Sequence, residues 1–403
     1  MKTGKRLVAL VMAAAICFSL CTGTAFGASA RYAVATDVVG AVKVTKAGGT
    51  KEIRIYEGMA LNEGDTIKVE SGSSVTLKLA DRDEEIVLDN EFHGALSSLR
   101  ESAGGGKETA VKTWAGSFLN MVRSLLGIND SYHVETPTAV MGVRGTHFMV
   151  MIDPQTGLPK IVVSAGRVET SQPAASTNPV ILLPGQQIEL YPNTYGVDPS
   201  AGITYLDPSE IIGAAGSSVL DALLRNKALI DKENEDLLSD MTYTSGSPTL
   251  LISDEATLAA YRKNVEALLH QLLKHAVDSG QLTEEQAQDI VNQVNRSIED
   301  EKRKYDLNRE VPPIDRSVGV DPEAEANRER LRQEAEKKRD QQVQQKEEMR
   351  QALQSDFDQR IRELQELQAQ LQEQNRQLAG QKQQEAQERL RQQLSEQERE
   401  ALD

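Results

Sequence analysis

Between residues 33 and 88 the chain repeats one device, a run of four to six residues alternating apolar and polar, closed by Gly, Asp or Asn. The runs fall at 33–39, 41–45, 52–56, 66–69, 74–79 and 85–88, separated by Gly40, Gly48-Gly49, Gly58, Gly64-Asp65, Gly72 and Asp89-Asn90. A period of two places successive side chains on opposite faces of a strand, and strands this short and evenly spaced predict an all-β unit. A second β-rich stretch lies at 136–190, where Thr136-Pro137-Thr138-Ala139-Val140-Met141-Gly142-Val143-Arg144-Gly145-Thr146-His147-Phe148-Met149-Val150 reads as two strands broken by glycines. It continues through 160–170 and 180–183 to a Pro184-Gly185 turn and a final run at 186–190. The two stretches echo each other. Val39-Gly40-Ala41-Val42-Lys43-Val44 followed by Leu61 to Val69 matches Ala165-Gly166-Arg167-Val168-Glu169-Thr170 followed by Leu183 to Leu190, which predicts stacked β layers in a short solenoid or roll.

The glycine-rich core of this second stretch, with Gly142-Val143-Arg144-Gly145-Thr146 followed by Phe148, Gly166 and Pro184-Gly185-Gln186, resembles the FecR domain, an extracytoplasmic bacterial β module. The likeness is close over 136–190 and looser over 31–206, and it implies the same layered β fold. Gram-negative proteins of that family relay a signal from an outer-membrane transporter to a cytoplasmic sigma factor, using a cytoplasmic segment and a membrane span ahead of the FecR domain. Here the only long apolar run opens the chain, so the resemblance implies an exported β module that recognises something at the envelope.

Residues 1–30 have the parts of a secretion signal: Lys2, Lys5 and Arg6, an apolar run over 7–20, and small residues ending at Ala28-Ser29-Ala30, which places cleavage near Ala30. Both cysteines, Cys17 and Cys21, lie inside it, so the predicted mature chain has no thiol chemistry. Leu20 stands before Cys21 where a lipoprotein signal needs a small residue. Loss of those three cations takes the formal charge from −16 to −19, which argues against nucleic acid as a partner.

From Gly104-Gly105-Gly106 the period changes. Val111, Trp114, Phe118, Met121 or Val122, and Leu125 recur at three and four, which predicts an amphipathic helix at about 109–127 inserted into the β domain as a cap. Beyond 206 helical signals take over. Asp207-Pro208-Ser209-Glu210 opens a helix to about 239, weakened by Gly213 and Gly216, and Ser253-Asp254-Glu255 opens a second that stops at Gly280. Thr283 with Gln286 forms a capping box for a third. These make a small helical region over 207–306, free-standing or docked on the β domain, followed by a linker at 307–320.

Residues 321–403 hold 21 Gln, 20 acids and 15 bases with Gly380 as their only glycine, a composition of good helix formers with i, i+4 pairs such as Glu334 and Lys338. Leu353, Phe357, Ile361, Leu364, Leu371 and Leu378 form a seam interrupted by Gln368 and Asn375. The tail is either a lone solvated helix or a weak coiled coil that self-associates as a homodimer. The predicted whole is multidomain β plus α: an N-terminal all-β solenoid or roll with an inserted helix, a small helical unit and a long charged C-terminal helix.

No catalytic or metal motif emerges. His93, His133, His147, His270 and His275 do not share a spacing that converges on a cation. Gly104-Gly105-Gly106-Lys107 has Glu101 where a phosphate loop needs glycine and Glu108 where it needs a hydroxyl. The acidic turn of Asp81, Asp83, Glu84 and Glu85 lacks the glycine and spacing of a calcium loop. The expectation is a non-enzymatic protein without cofactor. Arg144 and His147 are the candidate ligand-binding residues, and Gly142, Gly145, Thr146, Gly166 and Gly185 the fold-critical ones. An envelope polymer or a surface protein is the expected partner, with a FecR-type sensor or transducer of a signalling or assembly system as the other reading.

Overall fold

The computed structural model describes residues 29–82, 84–102, 104–122, 127, 129–143, 145–153, 156–172, 179–191, 202–241, 252, 254–318 and 323–400. Residues 1–28 of the expected signal segment and Arg144 therefore lie outside the described residues, while Ser29 and Ala30, the last two of that expected segment, are described as a strand. The chain divides into two compact units, Met1–Gln333 and Glu334–Asp403.

In the first unit seventeen strands join one hydrogen-bonded network. They are β1 (Ser29–Ala30), β2 (Tyr32–Val39), β3 (Val42–Thr45), β4 (Glu52–Arg54), β5 (Ala60–Asn62), β6 (Thr66–Val69), β7 (Ser74–Leu79), β8 (Glu85–Glu101), β9 (Lys107–Val122), β10 (Ser131–Glu135), β11 (Val140–Val143), β12 (Thr146–Ile152), β13 (Pro159–Ala165), β14 (Val168–Ser171), β15 (Val180–Leu182), β16 (Gln186–Glu189) and β17 (Thr204–Tyr205). The described pairings do not close into a barrel.

The long β8–β9 hairpin is the spine. β8 pairs through its first half with β7 and through its second with β6, and β9 pairs with β10 in parallel and with β12 antiparallel. On one side β2 pairs with β5 and β7, and β3 with β4 and β6. On the other β13 pairs with β16 and β12, and β14 with β15 and β11. The two lobes thus repeat one pairing scheme in permuted chain order, because β6 and β7 follow β5 whereas their counterparts β11 and β12 precede β13. The sequence echo is real with a shifted second leg. Gly185 corresponds to Gly58 and not to Gly64: both have positive φ, and their N–H groups donate to Val163 O and Ala35 O at the same 2.8 Å.

The helix expected at 109–127 is strand β9 over its described part. Its three-four spacing arises from a period of two with a phase slip. Val111 and Phe118 both enter the β core although seven positions apart, because Gly116 (φ 84) lies against the β8 bulge, where Asn90 and Glu91 also take positive φ. A Cβ on Gly116 would stand 2.3 Å from Phe92 N. Trp114, expected on an apolar helix face, is instead 39% exposed beside His93.

Past Gly116 the strand is covered on both faces. Phe118, Val122, Phe148, Val150, Ile161 and Val163 face the β core, while Leu119, Met121, Met149, Met151 and Val162 face a second cluster shared with helices. Those helices are α1 (Pro208–Ala214), α2 (Ser217–Arg225), α3 (Lys227–Ser239), α4 (Glu255–Asp278) and α5 (Glu284–Asn295). The helical region is therefore docked on the sheet. Asp207 caps α1, Asp254 caps α4, and Thr283 with Gln286 completes the capping box of α5. The single helix expected over 208–239 is three. At the first break Gly216 leaves room for the Asp89 carboxylate, which would lie 2.1 Å from any Cβ there and accepts from Ser218 N and Val219 N. The cap of α2 comes from the bulge of β8, a partner more than a hundred residues away in the chain.

α6 (Ala324–Glu400) has its first turns in the first unit, where Arg328 pairs with Glu210 and lies 3.7 Å from Glu189. In the second unit the helix is solvated and held along its surface by i, i+4 amide-to-carboxylate bonds, among them Gln344 to Glu348, Gln354 to Asp358 and Gln359 to Glu363. Leu353, Phe357, Leu364, Leu371 and Leu378 are all more than half exposed.

Candidate functional site

β12 carries the glycine-rich motif into the doubly covered layer. Alternation along β12 puts the His147 imidazole on the helix-facing side with Met149 and Met151, while Phe148 turns into the β core with Val150. Neither ring reaches solvent. His147 Nδ1 lies 2.8 Å from Glu233 Oε2 of α3, and with a carboxylate as acceptor the ring donates from Nδ1. Its Nε2 is buried without a partner, as are Ser164 Oγ and Asn234 Oδ1. Asn234 Nδ2 donates to Ser164 O at 3.0 Å, a second tie between α3 and β13. His147, a candidate ligand residue from sequence, is thus a bolt between sheet and helix.

The fold-critical positions divide. Thr146 Oγ1 donates to Arg167 O at 3.0 Å, and a Cβ on Gly166 (φ 75) would stand 2.0 Å from Gly145 O, so the 145–146 and 166–167 segments hold each other. Gly145 (φ 62) and Gly185 (φ 79) supply left-handed turns. Gly142 has no such duty, since the nearest atom to its added Cβ is His133 Nδ1 at 3.9 Å.

The remaining histidines stay apart. His93 packs on Trp114 at 5.1 Å, and His270 meets Tyr305 edge-on at 5.0 Å. Among the described residues no three His, Cys, Asp or Glu side chains converge on a cation. In the acidic turn the described Asp81 and Glu84 both have cationic partners. Asp81 receives Arg31 at 2.8 and 3.0 Å and Lys107 at 2.7 Å, and although burial pushes its carboxyl up, these cations hold it down at about 2. Buried Glu84 pairs with Arg82, and burial pushes it up.

One concavity among the described residues is a feature that sequence reasoning did not find. A cleft of about 480 Å³ opens between α3, α4 and the turn at 300–303, lined by Lys227, Asp231, Asn234, Arg262, His270 and Arg303 among others. Lys227, 2% exposed, donates to Asp231 at 2.7 Å and sits 5.3 Å from the Tyr305 ring centroid. Burial pushes Asp231 up against the opposing pull of Lys227. Burial first, then Lys227 and Arg309, lowers His270 to about 4, and its Nε2 accepts from Asp306 N at 3.2 Å, so the ring is neutral. At the rim Arg303 pairs with Glu235 at 2.8 Å. The buried cation and carboxylate of this cleft, Lys227 and Asp231, are thus paired with each other. The sequence signal was the i, i+4 spacing of Lys227 and Asp231, which alone reads as an ordinary surface pair.

The arrangement defines a mixed β plus α protein, sheet-rich at the N-terminal end and helical toward the C-terminal end. No family model matches the sequence, and no curated protein matches it. Two crystal structures of a protein described as a candidate anti-sigma factor from Parabacteroides distasonis are similar to part of the chain, at 22% identity and a TM-score of 0.27. They cover 32% of this chain, which spans 55% and 56% of theirs.

Proposed function

We propose that this chain is an exported, non-enzymatic component of an extracytoplasmic signalling or assembly system, acting through protein partners by way of α6. The observation that carries the reading is the burial of His147 and of strand β12 around it. With His147 bolted to Glu233 and the outer face of β12 covered by helices, the FecR-like stretch builds a body, and the large apolar side chains left in water lie mostly on α6. The FecR resemblance and the charged, cysteine-free mature chain support an envelope location. Neither cofactor nor nucleic acid enters this action, and a wall polymer is the competing ligand.

The test compares the intact protein with a chain ending at Gln333. Expected is crosslinking in cells to a protein in fixed proportion from a photoreactive residue at Leu364, lost on truncation. Equal retention of both chains on purified cell wall, with no protein crosslinked, would overturn the reading in favour of a wall-polymer binder.

A further inference from the structure

The exposed side chains of α6 fall into heptads. Val343, Phe357, Leu364, Leu371 and Leu378 repeat in steps of seven or fourteen, and Leu353 and Leu367 occupy the alternate seam position. Two arginines stand on the same stripe. Arg350 takes the place midway between Val343 and Phe357, and Arg360 the place midway between Leu353 and Leu367. In a parallel, in-register pair each would face its own copy across the seam, a like-charge confrontation in a partly desolvated core.

We infer that α6 pairs with α6 of a second copy in antiparallel orientation, with the two-fold axis between Gln365 and Glu366. The inference rests on the reading of α6 as a protein-contact surface. Opposed strands about that axis place Leu364 against the partner's Leu367 and Leu353 against the partner's Leu378. Arg360 then lies against the partner's Leu371 and Arg350 against the partner's Gln381. Both arginines thereby lay their methylene stems on a neutral neighbour and lift their guanidinium groups to water. On the flanks Glu347 meets the partner's Lys382, and Asp340 the partner's Arg389, so charge is matched where the parallel register pairs Lys382 with Gln377 and Arg389 with Gln384. Polar Gln374, opposite Phe357, keeps the pairing modest and the register single.

The experiment uses the full chain with Cys17→Ser and Cys21→Ser, so that only engineered thiols react. Light scattering gives the mass, and mild oxidation followed by non-reducing electrophoresis gives the geometry. Expected are a dimer mass, no self-linkage of Leu353→Cys, and at least tenfold more linked product when Leu353→Cys and Leu378→Cys proteins are mixed. In the antiparallel pair the two copies of position 353 are about 37 Å apart at 1.5 Å per residue. These positions are exposed, so the substitutions spare the fold. Replacing both Arg350 and Arg360 by Leu is expected to raise self-linkage of Leu353→Cys. Self-linkage of Leu353→Cys in the native background at the rate of the mixed pair would overturn the orientation. A monomer mass up to 100 μM would overturn self-pairing altogether, while crosslinking of α6 to a different protein in cells would leave the broader reading standing.

Discussion

Replacing His147 separates a structural role from a ligand-binding one. The imidazole is fully buried and its hydrogen bond to Glu233 is the described link between β12 and α3. His147→Ala removes a bond to a charged acceptor, about 1.5–3 kcal/mol. It also leaves a void that costs roughly 1 kcal/mol at about 24 cal/mol per Å³ once the site partly collapses. The expected loss is about 3–4 kcal/mol, which for a urea dependence of about 3 kcal/mol/M lowers the unfolding midpoint by about 1 M. His147→Asn, whose amide reaches the position of Nδ1, is expected to recover about half. The decisive measurement is the double-mutant cycle with Glu233→Ala, read by far-ultraviolet circular dichroism, with an expected coupling of about 1.5–3 kcal/mol. A coupling below about 0.5 kcal/mol, or an unchanged midpoint for His147→Ala, would refute the bolt and return His147 to the ligand-binding candidates.

The other predictions concern the backbone, the cap and the cleft. Gly166→Ala, forced against Gly145 O, is expected to leave little soluble protein, whereas Gly142→Ala shifts the midpoint by less than about 1 kcal/mol; equal effects in a solubility and urea assay would contradict the contact geometry. Asp89→Ala removes the remote cap of α2 and orphans two buried amides, for an expected loss of about 2–4 kcal/mol, with Asp89→Asn intermediate. His270, 7% exposed, has a folded pKa lowered from 6.5 to about 4, so its contribution is complete above 6.5 and is lost as pH falls toward 4, worth about 3 kcal/mol. Subtracting the pH–stability curve of His270→Gln from that of the native protein is expected to isolate this slope, and parallel curves between those limits would refute it.

The sequence made the short strands and the helix caps legible because each is a local event. Gly40, Gly58 and Gly166 take the positive φ that turn residues announce, and Thr283 with Gln286 makes its box within one turn. What failed was non-local. β9 imitates a helix because Gly116 flips its phase and helices arriving from beyond residue 207 bury its second face, so Met121 reads as a helical neighbour of Phe118. The break at Gly216 is set by Asp89, and the cleft by the meeting of Lys227, His270 and Tyr305 from three separate segments. The sequence offered His147 as a ligand-binding candidate, and its hydrogen-bond partner in the fold is Glu233, to which no spacing rule points.

The doubly covered layer has a consequence for how the chain must be made. Val87, Leu119, Met121, Met149, Met151 and Val162 form an apolar patch that stays in water until the helices between 208 and 295 have been synthesised and have docked. A protein cut at residue 206, the boundary that the β signals draw, would carry that patch permanently and is expected to aggregate where the longer chain does not. The working module ends where the helices end.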